Sequence, residues 1–306
     1  MIHSDCLGLS FELDELARSV SDLLGRSYAL TPLRVRCTYP VFRGDSAGAL
    51  PIFVKIGTRE EWERTSALLK AVDGCGFFAR FLVDRPAEFH GYVLFVMEWR
   101  AGEVVRPEEM TDAQIAGFAS GCRTLSSVLQ NARDIVPDAA GADEPERLFG
   151  VVADFVRRHP FTGRLLKDLT SIPAERRTYG ARALSVVHGD FHSKNFVFEG
   201  DALACVFDFD RVSFSLACGD LVNALVERFS CLSLSAPVRR RLTVAARKIL
   251  AASPWPREEM RIMANVGRFR FAAHRLEKHP GSAWVAFDVL RRDRKIRELL
   301  ACGLED

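Results

Sequence analysis

The sequence lacks any stretch of about 18 uncharged apolar residues, the length a helix needs to cross a bilayer, so no membrane span is expected. It has eight cysteines, Cys6, Cys37, Cys75, Cys122, Cys205, Cys218, Cys231 and Cys302, but no C-x-x-C pair and no cysteine–histidine cluster. That scatter argues against a zinc site or a disulfide framework and predicts reduced thiols in a cytoplasmic protein. Charge of either sign is barely in excess: 42 Lys and Arg against 40 Asp and Glu leave a net charge of +2. With no basic run interleaved with aromatics, a nucleic-acid groove is not expected. Met1 to Cys6 carry no Lys or Arg and so no basic n-region, and Glu12, Asp14 and Glu15 interrupt the nearby apolar stretch, so a secretory signal is not expected either. There is no solenoid-length repeat, no G-x-G-x-x-G and no Walker motif. What is present is 306 residues, 48% of them hydrophobic, enough for one large domain or for two lobes sharing a cleft.

The pattern changes near residue 100. Before it, Leu33 to Cys37, Leu50 to Ile56 and Tyr92 to Met97 are rich in β-branched and aromatic residues and read as strands, interrupted by one helix at about Glu60 to Val72. After it, helices are predicted at Thr111 to Asn131, Glu144 to Arg158, Gly219 to Phe229, Val238 to Ala252, Arg257 to Lys278 and Ala283 to Leu300, with strands only at Leu184 to Val187, Phe196 to Phe198 and Leu203 to Phe207. Pro137 to Asp143 reads as an exposed loop. The expected organisation is α+β: a β-rich lobe over 1–100 and a larger, mainly helical lobe over 101–306.

The densest chemical signal lies in the second half. Leu184-Ser185-Val186-Val187 is a short apolar strand that delivers His188-Gly189-Asp190 at its end, and Asn195 follows five residues after Asp190. The next two strand-like runs, joined by Glu199-Gly200-Asp201, have a hairpin signature that places Asp208 directly after the second. Asp190, Asn195 and Asp208 are thereby expected to open on one end of the structure. Phosphoryl transfer needs such a set, because the protein's work is to position reactants and neutralise charge on phosphate oxygens. Mg²⁺ takes hard oxygen donors, and an aspartate can accept the proton of an attacking hydroxyl. Taken singly, Asp190 and Asn195 also fit a turn, and Asp208 a helix cap.

Together, His188-Gly189-Asp190-Phe191-His192-Ser193-Lys194-Asn195 and Phe207-Asp208-Phe209-Asp210 resemble the catalytic loop and metal-binding aspartate of the aminoglycoside phosphotransferase and choline kinase superfamily, relatives of protein kinases. The family's H-G-D-x-x-x-x-N pattern is matched at every fixed position. The resemblance covers roughly residues 30 to 230 and implies a bilobal protein-kinase-like fold. By it, Asp190 is the catalytic base, Asn195 and Asp208 are Mg²⁺ ligands and His188 braces the loop. Asp210 stands where protein kinases have glycine, and its part in metal binding is left open.

A kinase site also needs a cation for the nucleotide phosphates, and Lys55 sits in the apolar strand Phe53-Val54-Lys55-Ile56. On a helical wheel Glu61 shares a face with Trp62, Leu68, Leu69 and Val72, while Glu60 and Glu63 point elsewhere. A Lys55–Glu61 pair resembles the lysine–glutamate pair of kinases that positions phosphates, with Glu60 or Glu63 substituting if the helix starts in another register. Tyr92 to Gly102 resembles the family's hinge. That likeness puts Met97 behind the adenine of ATP, the Glu98 carbonyl on its amino group and the Arg100 amide on its ring. The stretch from Thr38 to Gly48 lies where a phosphate-covering loop is expected, without its glycine pattern.

Asp220, opening the helix from Gly219, resembles a family aspartate that supports the catalytic loop; an N-terminal cap fits the same position. From residue 235 onward 16 Lys and Arg face 8 Asp and Glu, a net of +8, which leaves −6 for the preceding residues. Such a field repels polycations, so the acceptor is expected not to be strongly cationic. Trp255, Trp284, Phe269 and Phe271 could wall a choline-like cation or pack a core. The expected function is an ATP- and Mg²⁺-dependent phosphotransferase acting on a hydroxyl of a small molecule. A catalytically silent kinase-like module that binds a nucleotide or a protein, and a kinase acting on a protein side chain, are the alternatives.

Overall fold

A computed structural model describes residues 2–4, 9–33, 39–72, 75–136, 144–159, 166, 184–279 and 284–304. They fall into two units: Met1–Ala101 with Cys205–Asp210, and Gly102–Ala204 with Arg211–Asp306. The six residues Cys205–Asp210 thus join the first unit, although the division expected from sequence put them in the second lobe. The loop expected at Pro137 to Asp143 and most of the strand expected at Leu33 to Cys37 lie outside the described residues.

In the first unit, β1 (Ile2–Ser4) pairs antiparallel with β2 (Leu9–Phe11). Helix α1 (Leu13–Leu24) follows and was not expected from the sequence. Its apolar residues Leu13, Leu16, Ala17, Val20 and Leu24 recur three and four apart, which buries Leu16 and Val20 and leaves the acidic Glu12 and Asp14 exposed. Gly25, in the left-handed conformation, ends the helix by donating its N–H to the Ser21 carbonyl.

A five-stranded antiparallel sheet comes next: β3 (Ala29–Pro32), β4 (Val41–Asp45), β5 (Ile52–Gly57), β6 (Ala87–Phe89) and β7 (Tyr92–Glu98), in the spatial order β3-β4-β5-β7-β6. The stretch expected as a phosphate-covering loop therefore contains a strand, because Val41 and Phe42 bury their side chains and pair with β5 opposite Lys55 and Val54. Along β5 the side chains alternate. Ile52, Val54 and Ile56 enter a core with Leu16, Val20, Phe42, Leu94 and Val96, while Phe53 and Lys55 lie on the opposite face. Trp62 of α2 (Arg59–Ala71) packs with Val93 and Phe95, and Phe95 pairs directly across from Lys55.

The second unit is mainly helical: α3 (Asp112–Leu129), α4 (Glu144–Arg158), α5 (Gly219–Phe229), α6 (Ala236–Ala252), α7 (Arg257–Lys278) and α8 (Trp284–Leu300). Each helix expected beyond residue 100 is present. β8 (Ser185–Val187) pairs antiparallel with β11 (Ser213–Ser215), and β9 (Phe196–Glu199) makes a second two-stranded sheet with β10 (Ala202–Val206), of which Ala202 to Ala204 fall in this unit. Val152 and Phe155 of α4 pack with Phe269, Ala272 and Leu276 of α7 and Val285 and Val289 of α8. The aromatics considered for a cation wall are put to separate uses. Phe269 is in this core, Phe271 lies beneath the Arg292 guanidinium, and Trp284 is exposed beside Phe287.

One ion pair ties α5 to the preceding chain. Arg228 Nε donates to both carboxylate oxygens of Glu108, at 2.9 and 3.0 Å, and the Glu108 side chain is 1% exposed. Truncating one member strands the other's charge. Glu108→Ala is expected to lower unfolding free energy by about 3 kcal/mol in urea denaturation, with much of the loss recovered in Glu108→Ala/Arg228→Met.

Candidate active site

Within the second unit, β8 leads directly into the His188 loop. Asp220 is buried in the first turn of α5 and accepts two backbone N–H bonds from that loop, Oδ2 from His188 at 2.8 Å and Oδ1 from Gly189 at 3.1 Å. Burial raises the Asp220 carboxyl above its usual range, opposed by His188 and by these N–H donors. Gly189 has φ of 80°, and a Cβ there would lie 2.0 Å from the Arg211 carbonyl oxygen, so only glycine fits the motif's second position. His188 is fully buried against Phe191, and its Nδ1 accepts the Asp190 N–H at 3.3 Å.

The far end of the loop is tied back to its start. The Asn195 amide nitrogen donates to the Asp190 carbonyl at 2.8 Å, and the Asn195 backbone N–H donates to the His192 carbonyl at 2.8 Å. Phe191 beneath the loop stacks between Phe196 and Phe118, with ring centroids 4.8 and 6.0 Å away. The Asp190 carboxylate stays 35% exposed, with His192 Nε2 at 3.9 Å and Arg211 Nε at 4.0 Å from its Oδ2. Both neighbours were missed in the sequence. Arg211 comes close only through β11 pairing with β8, which no local pattern announces.

Within the first unit, the Lys55 ammonium donates to Asp210 Oδ2 at 2.7 Å and Asp208 Oδ1 at 3.2 Å. The rings of Tyr39 and Phe95 lie 5.2 and 5.3 Å from it. Burial works against the charge of Lys55, but the two aspartates outweigh it and hold its pKa above the ordinary value. Asp210 is pushed upward by burial, in part offset by Lys55. Asp208 has φ of 63°, and the Phe209 ring that follows packs edge-on against Phe78 at 5.0 Å.

The expected Lys55–Glu61 pair is not formed. Glu61 is the third residue of α2, and its Oε2 accepts from the Thr58 N–H at 2.9 Å and the Thr58 hydroxyl at 3.0 Å, closing a capping box. Tyr39 also donates its phenol to Glu61. The T-x-x-E sequence from Thr58 to Glu61 carries this signal, and it outweighs the helical-wheel argument that aimed Glu61 at a lysine. Asp210, two residues beyond Asp208, was the missed partner.

Of the residues expected to form a hinge, Met97 pairs across from Phe53 and bridges to Phe81. The Glu98 N–H donates to the Arg80 carbonyl at 2.9 Å, and Arg80 Nη2 holds the Glu98 carboxylate at 2.6 Å. The Arg100 guanidinium donates to the Gly76 carbonyl, while its backbone N–H makes no hydrogen bond among the described residues.

A sheet unit bearing a lysine and an Asp-x-Asp segment, with a helical unit bearing a braced His-Gly-Asp loop, defines a protein-kinase-like α+β fold. A model of the phosphotransferase enzyme family (APH) matches residues 41–295, and the chain belongs to that family. Among solved structures, the amicoumacin kinase hAmiN in complex with AMP-PNP, Ca²⁺ and Ami is similar at a TM-score of 0.62 and 10% identity, over 94% of this chain and 93% of that one. The GDP and kanamycin complex of the aminoglycoside phosphotransferase APH(2″)-IIIa gives 0.61 and 14%, over 92% and 99%. The ethanolamine kinase of Plasmodium vivax gives 0.54 and 14%, over 89% and 81%. At such identities the likeness shows the fold. No match was found among curated proteins. Among the described residues, no helix is long and apolar enough to cross a membrane.

The hydrogen bond from Arg80 lowers the Glu98 pKa. A carboxyl whose folded pKa is depressed contributes stability above its unfolded value and loses it as pH falls through the folded one. Glu98→Gln is therefore expected to flatten the decline in melting temperature below about pH 4.3, the unfolded glutamate value, read by thermal melts across an acid series.

Proposed function

We propose that the chain transfers the γ-phosphate of ATP to a hydroxyl of a small molecule that is not strongly cationic, with Asp190 as base. The observation that carries this reading is the Asp190 loop. Its backbone is held from below by Asp220, its ends are tied by Asn195, and its carboxylate is left open to solvent. An aspartate held in this way can accept the proton of an acceptor hydroxyl and aim that hydroxyl at the phosphorus. The relatives bound to GDP and AMP-PNP support a nucleotide donor.

Asn195 and Asp208 are the residues that would hold Mg²⁺, and their chemistry fits. The Asn195 amide nitrogen is spent on the Asp190 carbonyl, leaving its oxygen as a donor, and the Asp208 carboxylate is 45% exposed. Mg²⁺ would neutralise charge on the transferring phosphate. Met97, Glu98 and Arg100 are assigned to adenine, with the Arg100 N–H as its hydrogen-bond donor. His188 and Asp220 keep the loop rigid. Within the second unit, Arg211 and His192 beside Asp190 add to the basic character of the chain beyond residue 235 and disfavour a polycationic acceptor. We place the protein in the cytoplasm, since the described cysteines are all free thiols.

Labelled ATP offered with aminoglycosides, choline-like amines, amino-alcohols and sugars tests the reading. Asp190→Asn is expected to keep the melting temperature and lower transfer by about a hundred- to ten-thousandfold. Full activity in that variant would remove Asp190 from the chemistry.

A further inference from the structure

The first unit surrounds one ammonium with more carboxylate than it needs, and its geometry separates their roles. Lys55 leaves β5 on the face away from the Ile52, Val54 and Ile56 core, and its side chain is 12% exposed. Glu61 is committed elsewhere, to both donors of Thr58 and to the Tyr39 phenol. Asp208 Oδ1 is the longer contact, at 3.2 Å, and its side chain is 45% exposed. As the proposed metal ligand it has to turn its oxygens to a cation. Asp210 is the nearer partner at 2.7 Å, with a side chain 25% exposed. Its position is set independently of Lys55: Arg64 donates to its backbone carbonyl at 3.4 Å, and the preceding Phe209 is anchored on Phe78.

We infer that Asp210 is the positioning residue for Lys55, taking the place that the α2 glutamate was expected to fill. It orients the ammonium for the nucleotide phosphates while Asp208 is left for metal. This assignment rests on the kinase reading. The charge-assisted bond restricts a side chain with four rotatable bonds, so less freedom is lost when phosphate arrives. A carboxylate at position 210 would also keep Lys55 from remaining on Asp208 once a cation claims it.

A double-mutant cycle on nucleotide affinity tests the assignment without knowledge of the acceptor. Binding of a fluorescent N-methylanthraniloyl ATP with Mg²⁺ is titrated for the full-length wild type, Lys55→Met, Asp210→Asn, the double variant and Asp210→Glu, with thermal melts checking that each is folded. Asp210→Asn is expected to weaken binding about tenfold in the wild-type background and not to weaken it in the Lys55→Met background. Asp210→Glu should restore part of the loss, and the matching Lys55–Glu61 cycle, using Glu61→Gln, should be additive.

Additive effects of Lys55→Met and Asp210→Asn would overturn the inference, since Asp210 would then act on metal or fold independently of Lys55. Coupling of Lys55 to Glu61 in place of Asp210 would overturn it equally. In both cases the wild type still binds, and the phosphotransfer reading stands. A wild type that binds no nucleotide with Mg²⁺ would sink that reading and this assignment together.

Discussion

The buried carboxylate of Asp220 is the constraint on which the loop from His188 to Asn195 depends. A carboxylate removed from water has to be compensated, and here the compensation comes from the N–H groups of His188 and Gly189, two residues that precede Asp190 in the chain. The requirement runs in both directions. Those N–H groups are turned inward, and would be orphaned, if α5 did not begin where it does. Placing the aspartate in the first turn of a helix adds the favourable end of the helix dipole to the same account.

Around that bond the second unit is organised to leave little freedom. The left-handed Gly189 lets the backbone pass against the Arg211 carbonyl, Phe191 fills the space beneath, and Asn195 closes the loop on itself. Each of these removes a motion that would move the Asp190 carboxylate. The carboxylate itself is left partly in water, next to His192 and Arg211.

The first unit solves a different problem, that of keeping a lysine charged on a largely buried sheet face. Burial alone would drive the ammonium toward its neutral form, and the nearby Asp208 and Asp210 reverse that tendency. The rings of Tyr39 and Phe95, 5.2 and 5.3 Å from the ammonium, add their cation–π attraction. Glu61 plays no direct part because the start of α2 needs it: without its capping box the Thr58 N–H would lack a partner there.

The sequence by itself determined the elements whose signals are local. The helices beyond residue 100, the β5 alternation around Lys55, the His188 to Asn195 spacing and the strand leading to Asp208 all follow from periodicity and motif, which need only neighbours in the chain. Helix α1 carries an equally local signal in the spacing of Leu13, Leu16, Ala17 and Val20, although Glu12, Asp14 and Glu15 interrupt the apolar run. Only the tertiary structure decided which carboxylate met which cation. Lys55 and Asp210 are 155 residues apart, and the capping demand on Glu61 competed with the wheel that pointed it at Lys55. Arg211 and Asp190 are likewise brought together by the β8–β11 pairing. Partner choice among similar charges depends on distance and on competing hydrogen bonds, and distance between remote residues exists only once the chain has folded.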